Sequence, residues 1–212
     1  MNFFKNIFGK PENEIITSST KNKNEISINA INRKSSDLIE IDFIVPSKKL
    51  FFIHIETDSF TKEKTIKFKA IASYLSDKLI TWGDGSAFIQ LCIGMKNING
   101  QDFIVFSTYQ KSLKFKKGDK IAFLFQDKEI IEFELLEKGY KVDQDQDGVI
   151  IESYSTISNN EIEKFRTVKT DKWRHIPSDN MKPVTGTLTN ELQNDILEMT
   201  RVYMYVFENN IK

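Results

Sequence analysis

The chain has 212 residues, 40% of them hydrophobic and 17 of them Phe, which marks a globular protein with enough apolar surface for one sizeable core. Thirty basic residues cancel thirty acidic ones, so no net field draws the molecule toward nucleic acid or anionic lipid; such binding would need a local patch. The lone Cys92 cannot form an internal disulfide, which fits a reducing, cytoplasmic setting.

Residues 1–9 read as an amphipathic segment, with Phe3, Phe4, Ile7 and Phe8 on one helical face. Lys5 and Asn6 interrupt the apolar run and no small-residue cleavage site follows, so a signal peptide is not expected. Residues 10–24, rich in Lys, Asn, Ser and Thr, form a polar linker, and residues 25–212 form a single α+β domain. The tethered segment has three readings: docking on its own domain, insertion into a protein partner's groove, or contact with a membrane surface. No stretch approaches the length of a transmembrane span.

From Glu25 the apolar period is mostly two. Strands are expected around Ile26–Ala30, Ile39–Val45, Phe51–Ile55 and Lys64–Ala72, with Ile71–Ile80 open between strand and helix. Ala87–Met95 and Asp102–Tyr109 flank Asn99-Gly100, the dipeptide best suited to the two positive φ values of a type I′ turn. A second hairpin pairs Ile121, Phe123 and Phe125 with Ile131, Phe133 and Leu135. Ser158-Asn-Asn-Glu161 is a capping box, with Ile157 and Ile162 placed as a hydrophobic staple, so a short helix is expected near 159–166. Lys172–Ile176 adds a further strand candidate, and Pro177–Gly186 reads as loop. Leu188, Leu192, Ile196, Met199, Tyr203 and Val206 recur at steps of three and four, so a long amphipathic helix is expected over 188–207, its stripe packed on a sheet. The fold class is therefore α+β, a mainly antiparallel sheet of about eight to nine strands with two helices.

Asp143-Gln-Asp-Gln-Asp-Gly148 places three carboxylates at alternate positions, closed by glycine. Asp143, Asp145 and Asp147 are the residues that could hold Ca²⁺, a hard cation that takes about six to eight oxygens. An EF-hand nevertheless lacks its parts, because the flanks read as strands and Tyr154 stands where the bidentate Glu belongs, with Glu152 two places short. The loop reads as a strand-to-strand turn carrying three acids.

Other chemistry is sparser. His54 and His175 read as packed or surface histidines, and Cys92, between Leu91 and Ile93, as a small hydrophobe. There is no Gly-rich phosphate loop and no nucleophile elbow, so kinase, dehydrogenase and hydrolase readings lack their parts. Trp82 and Asp84 lie in Thr81-Trp-Gly-Asp-Gly85, read as a tight turn; Lys111–Lys120 carries five lysines around Leu113 and Phe115 and reads as a charged edge strand that resists aggregation rather than a single-strand nucleic-acid surface.

The run Lys117-Gly-Asp-Lys-Ile-Ala-Phe-Leu-Phe, its return strand Ile130-Ile-Glu-Phe-Glu-Leu, and then Ile157-Ser-Asn-Asn-Glu-Ile-Glu-Lys-Phe with Lys172-Trp-Arg resembles a recurrent pattern in small uncharacterised bacterial proteins. The resemblance covers about a quarter of the chain; it implies an ordered bacterial domain and no activity. The expected function is a non-enzymatic protein-interaction or accessory module of the bacterial cytoplasm, using Phe3, Phe4, Ile7 and Phe8 as a handle. The alternatives are a Ca²⁺-dependent binding protein using the Asp143–Gly148 loop, and an enzyme whose site is assembled from distant residues.

Overall fold

The computed structural model describes residues 25–68, 79–82, 85–88, 91–109, 113–145 and 148–209. Among these, β1 (Ser27–Arg33), β2 (Leu38–Ile44), β3 (Leu50–Thr57), β4 (Lys64–Phe68), β5 (Leu79–Trp82), β6 (Gly85–Phe88), β7 (Cys92–Ile98) and β8 (Gln101–Tyr109) come first. They are followed by β9 (Lys120–Phe125), β10 (Ile130–Glu134), β11 (Tyr140–Asp145), β12 (Gly148–Thr156), α1 (Asn159–Thr167), β13 (Thr170–Ile176), β14 (Val184–Thr187) and α2 (Asn190–Glu208).

Eight strands form one sheet in the order β1-β2-β3-β4-β7-β8-β12-β11, four form a second in the order β10-β9-β13-β14, and β5 pairs with β6 alone. Every ladder is antiparallel. The mainly antiparallel α+β class is therefore as expected, but the strand count exceeds the expected eight to nine. The added strands are short: β5 and β6 fall in the stretch left open between strand and helix and in the expected turn, and β11 and β14 are mostly polar. β11 reads Tyr-Lys-Val-Asp-Gln-Asp; β14, Val-Thr-Gly-Thr, lies largely inside the stretch expected to be loop. The expected strand over 87–95 is instead divided between β6 and β7.

The β7–β8 turn is made by Asn99 at φ 50° and Gly100 at φ 87°, the two positive angles for which this dipeptide is suited. The β9–β10 pair runs from Ile130↔Leu124 to Glu134↔Lys120. Lys111–Lys120, expected as an edge strand, differs: from Leu113 to Asp119 the chain is a loop that buries Leu113 and Phe115 and also the carboxylate of Asp119. Apolar residues at i and i+2 anchor a buried loop as readily as a strand, which explains the difference.

Burial on the inner face of the large sheet runs through Ile41, Phe43, Ile53, Ile93, Ile104 and Phe106, and on the small sheet through Ile121, Phe123, Phe125, Phe133 and Trp173. Phe106 joins the two, its ring 6.1 Å from Phe123 and 6.2 Å from Phe133. Phe165 of α1 then closes against Phe125 at 5.0 Å and Phe123 at 5.3 Å, mostly edge to face, the geometry that aromatic quadrupoles favour. In α2 the stripe Leu192, Ile196, Met199, Tyr203 and Val206 is buried as the periodicity requires, and the helix packs on α1, β7 and β13. No helix among the described residues is long and apolar enough to cross a membrane.

Helix α1 begins as its sequence dictates. The Ser158 hydroxyl accepts from the Glu161 amide while the Glu161 carboxylate accepts from the Ser158 amide at 2.7 Å, and Ile157 and Ile162 are both buried. Ser158→Ala is expected to lower unfolding stability by about 1 kcal/mol, read from the urea midpoint at unchanged slope.

Candidate functional site

The expected sites fall mostly outside the described structure. Phe3, Phe4, Ile7 and Phe8 lie outside the described residues, as does Asp147; of the aspartate loop, the backbone shows Asp143 opposite Ile150 and Asp145 opposite Gly148 in the β11–β12 hairpin. The loop thus joins two strands. Among the described residues no three His, Cys, Asp or Glu side chains gather as a metal site. Gly83 and Asp84 also lie outside the described residues, between Trp82 and Gly85 of the β5–β6 ladder.

The two histidines occupy different settings. His54 Nε2 sits 3.2 Å from Glu40 on the neighbouring strand, partly exposed. His175 is buried on β13 and its Nε2 lies 3.0 Å from Oδ2 of Asp119, which is itself fully buried. The Asp119 carboxylate also accepts from the Lys116 amide at 2.9 Å and from both the amide and hydroxyl of Ser178 at 2.8 Å. Burial pushes this carboxyl up, but the bonds from Ser178, Lys116 and His175 outweigh it and hold it below the usual carboxylate range. The trio is a structural clamp between two loops. Ser178 Oγ is spent on Asp119 Oδ1, away from the imidazole, so the order nucleophile, base, orienting acid is not assembled.

A second polar group lies on the outer face of the large sheet, where Lys67, Lys96 and Phe103 stand side by side on β4, β7 and β8. The Lys96 ammonium is 4.0 Å from the ring centre of Tyr154 and 5.8 Å from that of Phe103. Burial pushes it below its ordinary value, with Glu152 pulling the other way. Glu152 receives the Tyr140 hydroxyl at 2.6 Å and lies 3.6 Å from Lys67. Burial first, and then that bond, raise the Tyr140 phenol well above its usual range. Each charge here has a partner within the protein, so the arrangement stabilises the sheet. No apolar periodicity could have revealed it, since polar residues at alternate strand positions ordinarily face water.

An open surface groove lies elsewhere, between edge strand β10 and helix α1. This groove of about 580 Å³ is open to solvent and is lined by Glu129 to Glu132 on one side and by α1 and Val168 on the other. Ile130 is 61% exposed, its side chain on the solvent face of β10, while Ile131 turns to the α1 side with Phe133. Phe125 donates to the Glu129 carbonyl and Leu135 to the Asp119 carbonyl, so by the alternation of an antiparallel ladder the odd residues of β10 bond inward to β9 and Ile130 and Glu132 turn their backbone groups outward. Among the described residues no strand forms a ladder with Ile130 and Glu132 on that side; just beyond β10 the Leu136 amide donates to the Tyr154 carbonyl of β12, which bounds the open stretch. The sequence carries one signal of it: Ile130 and Ile131 are adjacent, and a strand cannot bury both on one face.

No protein-family model, curated protein or solved structure matches the chain. Its class is therefore given by architecture: a two-sheet antiparallel α+β protein with an open strand edge beside a helix.

Proposed function

We propose that the chain is a non-enzymatic protein-interaction or accessory module that docks its partner in the β10–α1 groove. The observation that carries this reading is the exposed Ile130 on an open sheet edge beside that groove; apolar side chains and unpaired backbone groups together are what a protein partner can cover. The zero formal charge supports a protein rather than a nucleic acid as that partner, and the single cysteine supports a cytoplasmic setting. Phe3, Phe4, Ile7 and Phe8 offer a second handle under the same proposal.

A photoreactive residue at position 130, compared in the native cell with one at Met181, which is 65% exposed on another surface, tests the groove. A discrete companion crosslinked from position 130 and not from 181 is expected. Identical products from both positions would remove the groove from the proposal. Retention of every companion after deletion of residues 1–10 would likewise remove the N-terminal handle.

A further inference from the structure

Resting on the reading above, we infer that the occupant of the groove is an extended segment with lysine or arginine alternating with apolar residues, which adds to β10 as a fifth strand of the small sheet. Three observations lead there. First, β10 is the edge of its sheet, and Ile130 and Glu132 turn their amides and carbonyls away from β9; a strand laid alongside satisfies both, and its length of five residues gives a ladder of about 17 Å.

Second, the groove is acidic. Glu129, Glu132, Glu161 and Glu163 line it against the single cation Lys164, whose ammonium is already bound by Asp127 and Glu129. Among the described residues Glu132 and Glu163 pair with Lys120 and Arg166, in exposed pairs that exchange readily for an incoming cation. Glu161 is committed to the helix cap and stays where it is.

Third, the edge is badly matched to itself. Pairing two copies of β10 antiparallel about its centre sets Glu132 against Glu132, and directly opposed like charges weaken a ladder. A basic strand relieves the charge that a second copy would double. Because strand side chains alternate, the lysines of the incoming strand fall on the solvent face with Glu132 and lay their stems beside Ile130, while its apolar residues turn to the α1 face, toward Ile131 and Val168.

The test uses the full chain and dye-labelled, end-blocked hexapeptides read by fluorescence anisotropy. The Lys-Val-Lys-Val-Lys-Val peptide is expected to bind, with affinity falling as salt rises. Replacing its lysines with glutamate, or its central lysine with proline, which removes a ladder donor, is expected to weaken binding at least tenfold. On the protein, Glu132→Lys is expected to weaken it similarly, and Glu132→Pro, at an edge position that tolerates proline, to do so without reversing a charge. In both cases circular dichroism confirms the fold. Amide exchange at Ile130 and Glu132 should slow on peptide addition.

Equal binding of the proline peptide would overturn strand addition and leave groove docking in place. No binding of the lysine peptide alongside a specific crosslink from position 130 would overturn the basic partner while sparing the module; loss of both would end both readings. A dimer in sedimentation that Glu132→Pro dissolves would assign the edge to a second copy and overturn the inference.

Discussion

Asp119→Ala is expected to cost about 3–5 kcal/mol of unfolding stability, because several hydrogen bonds to a buried carboxylate are lost together and each buried group left unsatisfied costs about 1–3 kcal/mol. The variant leaves His175, the Lys116 amide and both donors of Ser178 facing a cavity instead of a carboxylate. For a chain of this size the melting temperature should fall by roughly 10 °C. Asp119→Asn should recover part of the loss, because its carbonyl oxygen still accepts while its amide meets donors on the other side. The effect is tied to pH. The folded-state pKa of Asp119 lies below that of the unfolded chain, so its contribution is complete above the unfolded value, about pH 4, and is lost as pH falls through the lower folded value. The stability gap between wild type and Asp119→Ala should therefore be widest near neutrality and shrink in acid. A gap unchanged from pH 7 down to the acid transition would show that Asp119 acts by packing alone.

Gly186→Ala is expected to be the other severe substitution, at about 2–3 kcal/mol. Gly186 on β14 stands opposite Trp173 on β13, and the indole packs directly against it. A Cβ at Gly186 would meet Trp173 Nε1 at 2.2 Å and Cε2 at 2.4 Å, distances that no pair of heavy atoms tolerates. The indole is 1% exposed and its partner across the next ladder is Phe123, so it has nowhere to retreat. The shift should appear as a change in near-ultraviolet dichroism together with the lower melting point. Adding Trp173→Phe to the alanine variant should cost less than the sum of the two single changes, since the smaller ring removes the clash. Full additivity would mean that the ring and the glycine do not meet.

The same pair shows where reading the sequence stops. Val184-Thr-Gly-Thr has β-branched residues but no apolar alternation, and it follows a proline within a loop-like stretch; what marks it as a strand is its pairing with β13, where Gly186 meets a tryptophan thirteen places earlier. By contrast, Ser158 and Glu161, the Asn99-Gly100 turn and the α2 stripe each carry their structural instruction within a few residues, and those elements are found where the spacing puts them. The buried Asp119 was hidden for the opposite reason. Gly118-Asp119 has the composition of a surface turn, and its partners His175 and Ser178 lie 56 and 59 positions away, beyond any local pattern. The groove was legible only as the adjacent Ile130 and Ile131, which must face opposite sides of one strand, Ile131 toward α1 and Ile130 toward solvent. Lys96 stayed unread because a lysine between Met95 and Asn97 on a strand ordinarily points to water.

Helix α2 ties the large sheet together across long stretches of sequence: the Glu198 carboxylate accepts the Ser47 hydroxyl from 151 positions away, and Tyr203 donates to Asp102 across 101. Such closures carry an entropic cost before any contact repays it, so the time to fold is set by the search for distant partners rather than by the quick formation of either helix. Refolding should accordingly take milliseconds to seconds. A chain still searching leaves the edges of both sheets unpaired, which makes the interval before α2 docks the period when the molecule is most exposed to aggregation.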